Sequence, residues 1–431
     1  MERSLCRPLE TEDYAIQTMA DVSPPKWHLA HVSWFFETFL LGKHWPGYRP
    51  FHPDYNYCFN SYYEALGDRH PRPQRGLLSR PTVRDIYAYR QAVDEAMAQL
   101  IVQEQGNAAV EALVVLGLHH EQQHQELLLM DIKHILATNP LRPVYRADLA
   151  VPDLAAPDLA APDLAAPGSA APSAAPAHSS LGYQSFSGGL VEIGLDLGAL
   201  PLDQFEGFAF DNEGPRHRVY LEDFSLADRL VTNGEYLEFI EAGGYRQPQH
   251  WLAEGWAKVQ QQGWSAPLYW EQRQGSWWVM TLGGLRVMNP AEPVCHVSGY
   301  EADAFARWAG QRLPTEAEWE RAASISLGPA DFQQGNFVEQ DLLHPRPAPG
   351  GTGLRQLLGD VWEWTQSSYG PYPGYRPAAG AIGEYNGKFM CNQLVLRGGS
   401  CATAHSHIRS SYRNFFPPEA RWLFGGIRLA R

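Results

Sequence analysis

The chain reads as an α+β protein: a helical bundle over residues 1–146, a linker over 147–180, and a second domain of mixed helix, strand and irregular structure over 181–431. Three observations predict this. Before residue 146, apolar side chains recur at three- and four-residue steps, the period of a helix with one buried face. The pentad Pro152-Asp153-Leu154-Ala155-Ala156 then recurs from Pro157 and again from Pro162. Such regularly spaced prolines neither pack a core nor allow a stable helix, so this stretch is a spacer. Beyond it, short strand-like runs alternate with turns and loops dense in Gly, Pro and Trp.

With 431 residues, 44% of them apolar, the chain has material for two or three domains with real cores. A formal charge of −14 argues against nucleic acid or an anionic membrane as a partner. The five cysteines, Cys6, Cys58, Cys295, Cys391 and Cys401, are odd in number and form no C-x-x-C pair, which disfavours a disulfide framework. A reducing cytoplasm is therefore the expected compartment. The N-terminal residues lack the apolar core of a signal peptide, and no run reaches the ~18 apolar residues of a membrane span.

Within the first domain, Ser23-Pro24-Pro25 marks a helix start, followed by Lys26-Trp27-His28-Leu29-Ala30-His31 and an aromatic run. Trp27, His31, Trp34, Phe35 and Thr38 share one face, and His28 lies about 60° from His31 on the same side. Geometry alone does not choose between these histidines. Residues 47–80 form a long loop rich in Pro, Gly, Tyr and Arg, a content that favours function. Residues 82–105 predict a further helix with Ile86, Tyr89, Val93 and Met97 on its apolar stripe. With the next segment this makes about four helices, a bundle able to hold a metal between facing helices.

That next segment, residues 116–131, carries His120 and His124 one turn apart on one face, the spacing at which two imidazoles share a metal. Gln123 sits at the edge of that face and Glu126 points away from it. His134 is ~21 Å along the axis from His120, too far to join it. Paired helical histidines can also be surface residues or hydrogen-bonded core residues. His120-Glu121-Gln122-Gln123-His124 also spells the H-E-x-x-H pattern of zinc hydrolases, with Glu121 as base. Those enzymes need a third ligand downstream, and position 130, where the third histidine of the longer pattern would fall, is Met. A third ligand must then come from elsewhere, and His28 or His31 would serve.

In the second domain, helices are predicted at residues 233–242, 299–309 and 315–323, the last with Thr315 as N-cap and Glu318 in the capping-box position. This domain resembles the formylglycine-generating-enzyme, or sulfatase-modifying-factor, domain. The resemblance rests on segments that include Phe210-Asp211-Asn212-Glu213-Gly214-Pro215, Arg312-Leu313-Pro314-Thr315-Glu316-Ala317-Glu318-Trp319, Gly359-Asp360-Val361-Trp362-Glu363-Trp364, Leu396-Arg397-Gly398-Gly399-Ser400 and Gly426-Ile427-Arg428-Leu429. Formylglycine-generating enzymes also need a copper-binding cysteine pair. Here Cys401 stands alone near the Arg-Gly-Gly-Ser segment, which argues against sulfatase maturation.

With the first domain added, the whole chain resembles the ergothioneine-biosynthesis sulfoxide synthases, a DinB-like four-helix bundle joined to a formylglycine-generating-enzyme-like (C-type-lectin-like) domain. The resemblance implies a mononuclear non-haem Fe(II) held by His31, His120 and His124, with Glu126 completing the H-x-x-x-H-x-E pattern. It implies O2 as co-substrate and a C–S bond between C2 of the imidazole of Nα-trimethylhistidine (hercynine) and a thiol, left as a sulfoxide. Imidazole suits Fe(II), and three ligands leave positions open. By the same resemblance Gln123 and Asn414 hold hercynine, Tyr62 and Tyr63 are the catalytic tyrosine candidates, and Arg80 is a candidate for the thiol donor's carboxylate. The γ-glutamylcysteine-using branch has Trp-Asp after Arg-Asn and an Arg further on. This chain has Phe415-Phe416 and Ala420, which favours free cysteine as donor. Selenoneine synthases, relatives that take a selenosugar, would share the iron site. A structural Ca2+ in the second domain is a further expectation.

Overall fold

The computed structural model describes residues 2–149, 181–199 and 207–431; residues 150–180, nearly all of the expected linker with its pentad repeat, lie outside the described residues. Three long helices build the N-terminal half. Helix α1, Pro25–Phe36, opens on Pro24 and Pro25 and buries every one of its residues. Such a helix belongs in the middle of a bundle, and α1 packs against both others. It continues through a π-turn at Glu37–Leu41. There the buried Glu37 carboxylate accepts hydrogen bonds from the Tyr48 and Tyr89 hydroxyls and the Phe51 amide.

Helix α2, Val83–Gln103, begins at Thr82, whose hydroxyl accepts from the Asp85 amide while Asp85 reaches back to the Thr82 amide. Its buried stripe is Ile86, Tyr89, Val93, Met97 and Leu100. Helix α3, Ala108–Thr138, is capped by Asn107 and begins well before the predicted stretch. Short helices at Glu2–Leu5 and Tyr55–Phe59 pack on α3 and α1 and complete the bundle. Gly117 of α3 sits where α1 comes closest. A Cβ there would lie 2.5 Å from Phe36 Cε1, so only glycine permits this approach.

Among its described residues the C-terminal half holds four α-helices, α4 Asn233–Glu241, α5 Ala253–Gln262, α6 Gly299–Trp308 and α7 Glu316–Ser326. Capping boxes at Thr232, Ser298 and Thr315 start three of them, and α5 has no such signal. Its strands form small sheets rather than one large one. The sheet that matters for the site has four strands: β1 Trp362–Ser368, β2 Leu394–Arg397, β3 Asn414–Phe416 and β4 Gly425–Gly426, in the order β3-β2-β1-β4. Only the β1–β4 pairing is parallel.

The segments that carried the resemblance turn out to be the skeleton of this half. Glu363 and Arg428 form an ion pair with both side chains at 0% exposure, and Trp319 Nε1 donates to the same carboxylate. Arg397, equally buried, pairs with Glu316 and Glu320 and donates to the carbonyls of Ser410 and Tyr412. Strand alternation then aims Trp362, next to Glu363, at the opposite partner, helix α3.

Candidate active site

Helix α1 supplies His28 and His31, and helix α3 supplies His120 and His124. The ligating atoms of His31, His120 and His124 all lie within 4.8 Å of one another. His31 Nε2 is 3.2 Å from His120 Nε2. His31 is sandwiched between Trp27 and Trp34, with ring centroids 4.6 and 5.3 Å away, and His120 stacks on Phe35 at 4.4 Å. Burial, followed by the neighbouring imidazoles, holds His31 and His124 well below the usual histidine range, and burial pushes His120 down to about 3. Three neutral rings therefore turn nitrogen lone pairs toward one point. That donor set fits a first-row divalent cation such as Fe(II).

His28, the other member of the sequence-level tie, stands beside the triad. Its Nδ1 is 3.0 Å from His124 Nδ1 and its Nε2 is 2.9 Å from Asp131 Oδ2. His134 faces elsewhere and meets Thr18. Glu121, the base required by the hydrolase alternative, is held by the Arg90 guanidinium at 3.0 and 3.2 Å and does not line the cavity. The H-E-x-x-H reading thus loses its base. Among the described residues no second cluster of three His, Cys, Asp or Glu is set to hold a metal, so the expected Ca2+ has no side-chain cage there.

A cavity of about 420 Å³ lies against His124 and is lined from both halves of the chain. Gln123 enters it one residue before the ligand. Its Nε2 donates to Tyr412 Oη at 2.8 Å, and its Oε1 is buried with no partner among the described residues. Asn414, Phe415 and Phe416 line the opposite wall from strand β3, with Phe415 stacked on Tyr369 at 4.1 Å. Arg413 fixes that strand through Glu316 and the carbonyls of Asn212 and Gly370.

The two sequence-nominated tyrosines part company. Tyr62 lines the cavity, whereas Tyr63 is 1% exposed and packs in the core with Trp34 and Phe39. Tyr385, which carried no sequence signal, lines the cavity as well, 6.0 Å ring to ring from Tyr62 and 5.9 Å from His120. Burial pushes the hydroxyls of Tyr62 and Tyr385 well above the phenol range, so both stay protonated.

Arg80 is a correction. It is exposed, donates to its neighbour's carbonyl and does not line the cavity. Lys26 Nζ binds the carbonyls of Leu78 and Pro81 and holds this segment with its arginine turned outward. Arg69, Arg72 and Arg75, from the same loop, line the cavity in its place. Arg75 is buried, lies 3.3 Å over the Trp27 ring and donates to Ser23 Oγ. The loop's composition signalled function, but nothing in it ranked one arginine above another.

The C-terminal half roofs the cavity and is fastened to α3 by Glu126, which helical spacing turned away from the histidine face. Its buried carboxylate accepts from Trp362 Nε1, Ser400 Oγ and Thr403 Oγ1 at 2.8, 2.5 and 2.7 Å. Burial raises its pKa and the three donors oppose that rise.

Comparison with known proteins follows the same division. Residues 172–431 match the sulfatase-modifying factor enzyme 1-like domain family, and residues 3–128 match the DinB superfamily. The hercynine oxygenase of Mycobacterium tuberculosis is 36% identical over a stretch covering 95% of this chain and 91% of that protein. The hercynine oxygenase of Mycolicibacterium smegmatis is 38% identical over 52% of this chain and 56% of its own length. A formylglycine-generating enzyme of Streptomyces coelicolor is 31% identical over 48% of this chain, covering 76% of that enzyme.

Proposed function

The chain belongs to the hercynine oxygenase family, and from that premise we propose that it is an Fe(II)- and O2-dependent sulfoxide synthase joining C2 of the hercynine imidazole to the sulfur of free cysteine. The observation that carries this reading is the convergence of His31, His120 and His124 at the edge of a cavity shared by both halves. In the overall reaction the C2–H and S–H bonds break and a C–S bond forms. One atom of O2 ends on sulfur and the other leaves as water with the two protons. Bound iron supplies the one-electron chemistry that O2 requires.

The remaining work belongs to the chain's own groups. Gln123 Oε1, unpartnered and facing the ligand turn, accepts the imidazole N–H of hercynine. Asn414 binds its other end, and the aromatic wall of Phe415 and Phe389 suits a quaternary ammonium. Arg75, with Arg72 and Arg69 at its side, takes the donor's carboxylate. Phe415 and Phe416 leave no polar grip for a γ-glutamyl extension, which supports cysteine over γ-glutamylcysteine. Tyr62, protonated and in the cavity, delivers a proton to the reacting oxygen.

The test is an anaerobically reconstituted Fe(II) assay offering hercynine with cysteine, γ-glutamylcysteine and a selenosugar in competition, read by product mass. O2 uptake should require hercynine and cysteine together. His31→Ala and His120→Ala should lose both iron and turnover; a variant that keeps both would remove the assignment, and a selenium-containing product would move it to selenoneine synthesis.

A further inference from the structure

We infer that His28 and Asp131 are positioning residues that fix which nitrogen of His124 is free to bind the metal. The inference rests on the iron-site reading above and follows from counting protons. Asp131 Oδ2 accepts the backbone N–H of Ser23 at 2.8 Å, and a carboxylate oxygen only accepts. The imidazole nitrogen 2.9 Å away, His28 Nε2, must then be the donor. With a single ring proton, placed on Nε2 by Asp131, His28 Nδ1 is a bare acceptor, and the atom facing it at 3.0 Å is His124 Nδ1. That nitrogen donates, and the lone pair of His124 is confined to Nε2.

His31 is fixed the same way by simpler means. Its Nδ1 lies 2.6 Å from the Phe59 carbonyl, which can only accept, so its lone pair is also on Nε2. His120 Nδ1 has no partner among the described residues, and that ring stacks on Phe35. Two of the three rings are thus locked in the tautomer a metal needs, one by a carbonyl and one by an Asp–His chain. The chain begins at the start of α1, where Ser23 and Arg75 meet. A partner on the distal nitrogen fixes the orientation of a ligating imidazole and raises its basicity.

The experiment titrates metal-stripped full-length protein with Co(II), reading the visible absorbance of the bound ion. Wild type should bind one Co(II) per chain. His28→Phe, which keeps the ring volume and removes the acceptor, should bind roughly 10–100-fold more weakly. His28→Asn restores an acceptor where Nδ1 stood and should recover most of that loss, a rescue that packing alone would not produce. Should His28→Phe fail to fold, Asp131→Leu decides in its place with the same expected weakening. Wild-type affinity in His28→Phe or Asp131→Leu, or no rescue by His28→Asn, overturns the inference. Failure of wild type itself to take up Co(II), or its undiminished uptake by His31→Ala, would instead sink the iron-site reading.

Discussion

Tyr62 and Tyr63 are neighbours in sequence with different surroundings, and that difference sets their expected phenotypes. Tyr62→Phe removes a hydroxyl from the cavity and should lower kcat about 100-fold or more, read by O2 uptake at saturating substrates. Tyr63→Phe removes one from the core and should leave kcat nearly unchanged; equal losses would argue that the pair acts as a unit. Lys133 makes a second residue-scale prediction. It is buried between α3 and the C-terminal half, bonded to His296 Nε2 at 2.7 Å, and burial pushes its pKa down to about 8 from 10.5. Between those two values the unfolded chain carries the extra proton, so stability rises as pH increases through that window; below 8 both states are charged and the cost is fully present. Measured against Lys133→Met by urea unfolding at pH 7, 8, 9 and 10, the wild type should gain about 1.4 kcal/mol per pH unit above 8. A difference that stays flat would mean the ammonium is solvated.

At the scale of elements, the crossing of α1 and α3 depends on Gly117. Gly117→Ala places a methyl against Phe36 and should destabilise the protein by about 1–3 kcal/mol, measured as a fall in the urea midpoint. Much of this level was legible from sequence. Thr315 with Glu318 announces its helix because capping chemistry is local. The ligand turn of α3 was legible because two histidines four apart must share a face. Helix geometry did not choose between His28 and His31, both buried, at 2% and 0%; the family resemblance chose His31, and in the structure a carbonyl at Phe59 and a carboxylate at Asp131 set the two apart. Periodicity reports a direction around the helix axis, whereas the partner waiting there depends on tertiary packing. The same limit explains Arg80 and Tyr385, whose placement depends on loops that have no period to read.

For the molecule as a whole, Glu126 is the residue whose loss should be felt furthest away. Its three donors come from residues 362, 400 and 403, so Glu126→Ala removes the acceptor they share. The Ser400 and Thr403 hydroxyls, 3.2 Å apart, can then pair only with each other, and Trp362 Nε1 is left without an acceptor. Each such group costs about 1–3 kcal/mol. The expected result is a raised KM for hercynine with iron content unchanged, because Glu126 binds the roof and not the metal; lost iron with normal KM would refute that division of labour. Sequence spacing correctly turned Glu126 away from the ligands, but it could not say that a tryptophan more than two hundred positions later would meet it. His120, Gln123, His124 and this roof anchor all ride on two turns of one helix, α3. The contact that joins the two halves and the two histidines of α3 therefore share one element. Arg72 lines the cavity and is exposed, so substitutions in the arginine loop reach the cavity from its solvent side without touching α3.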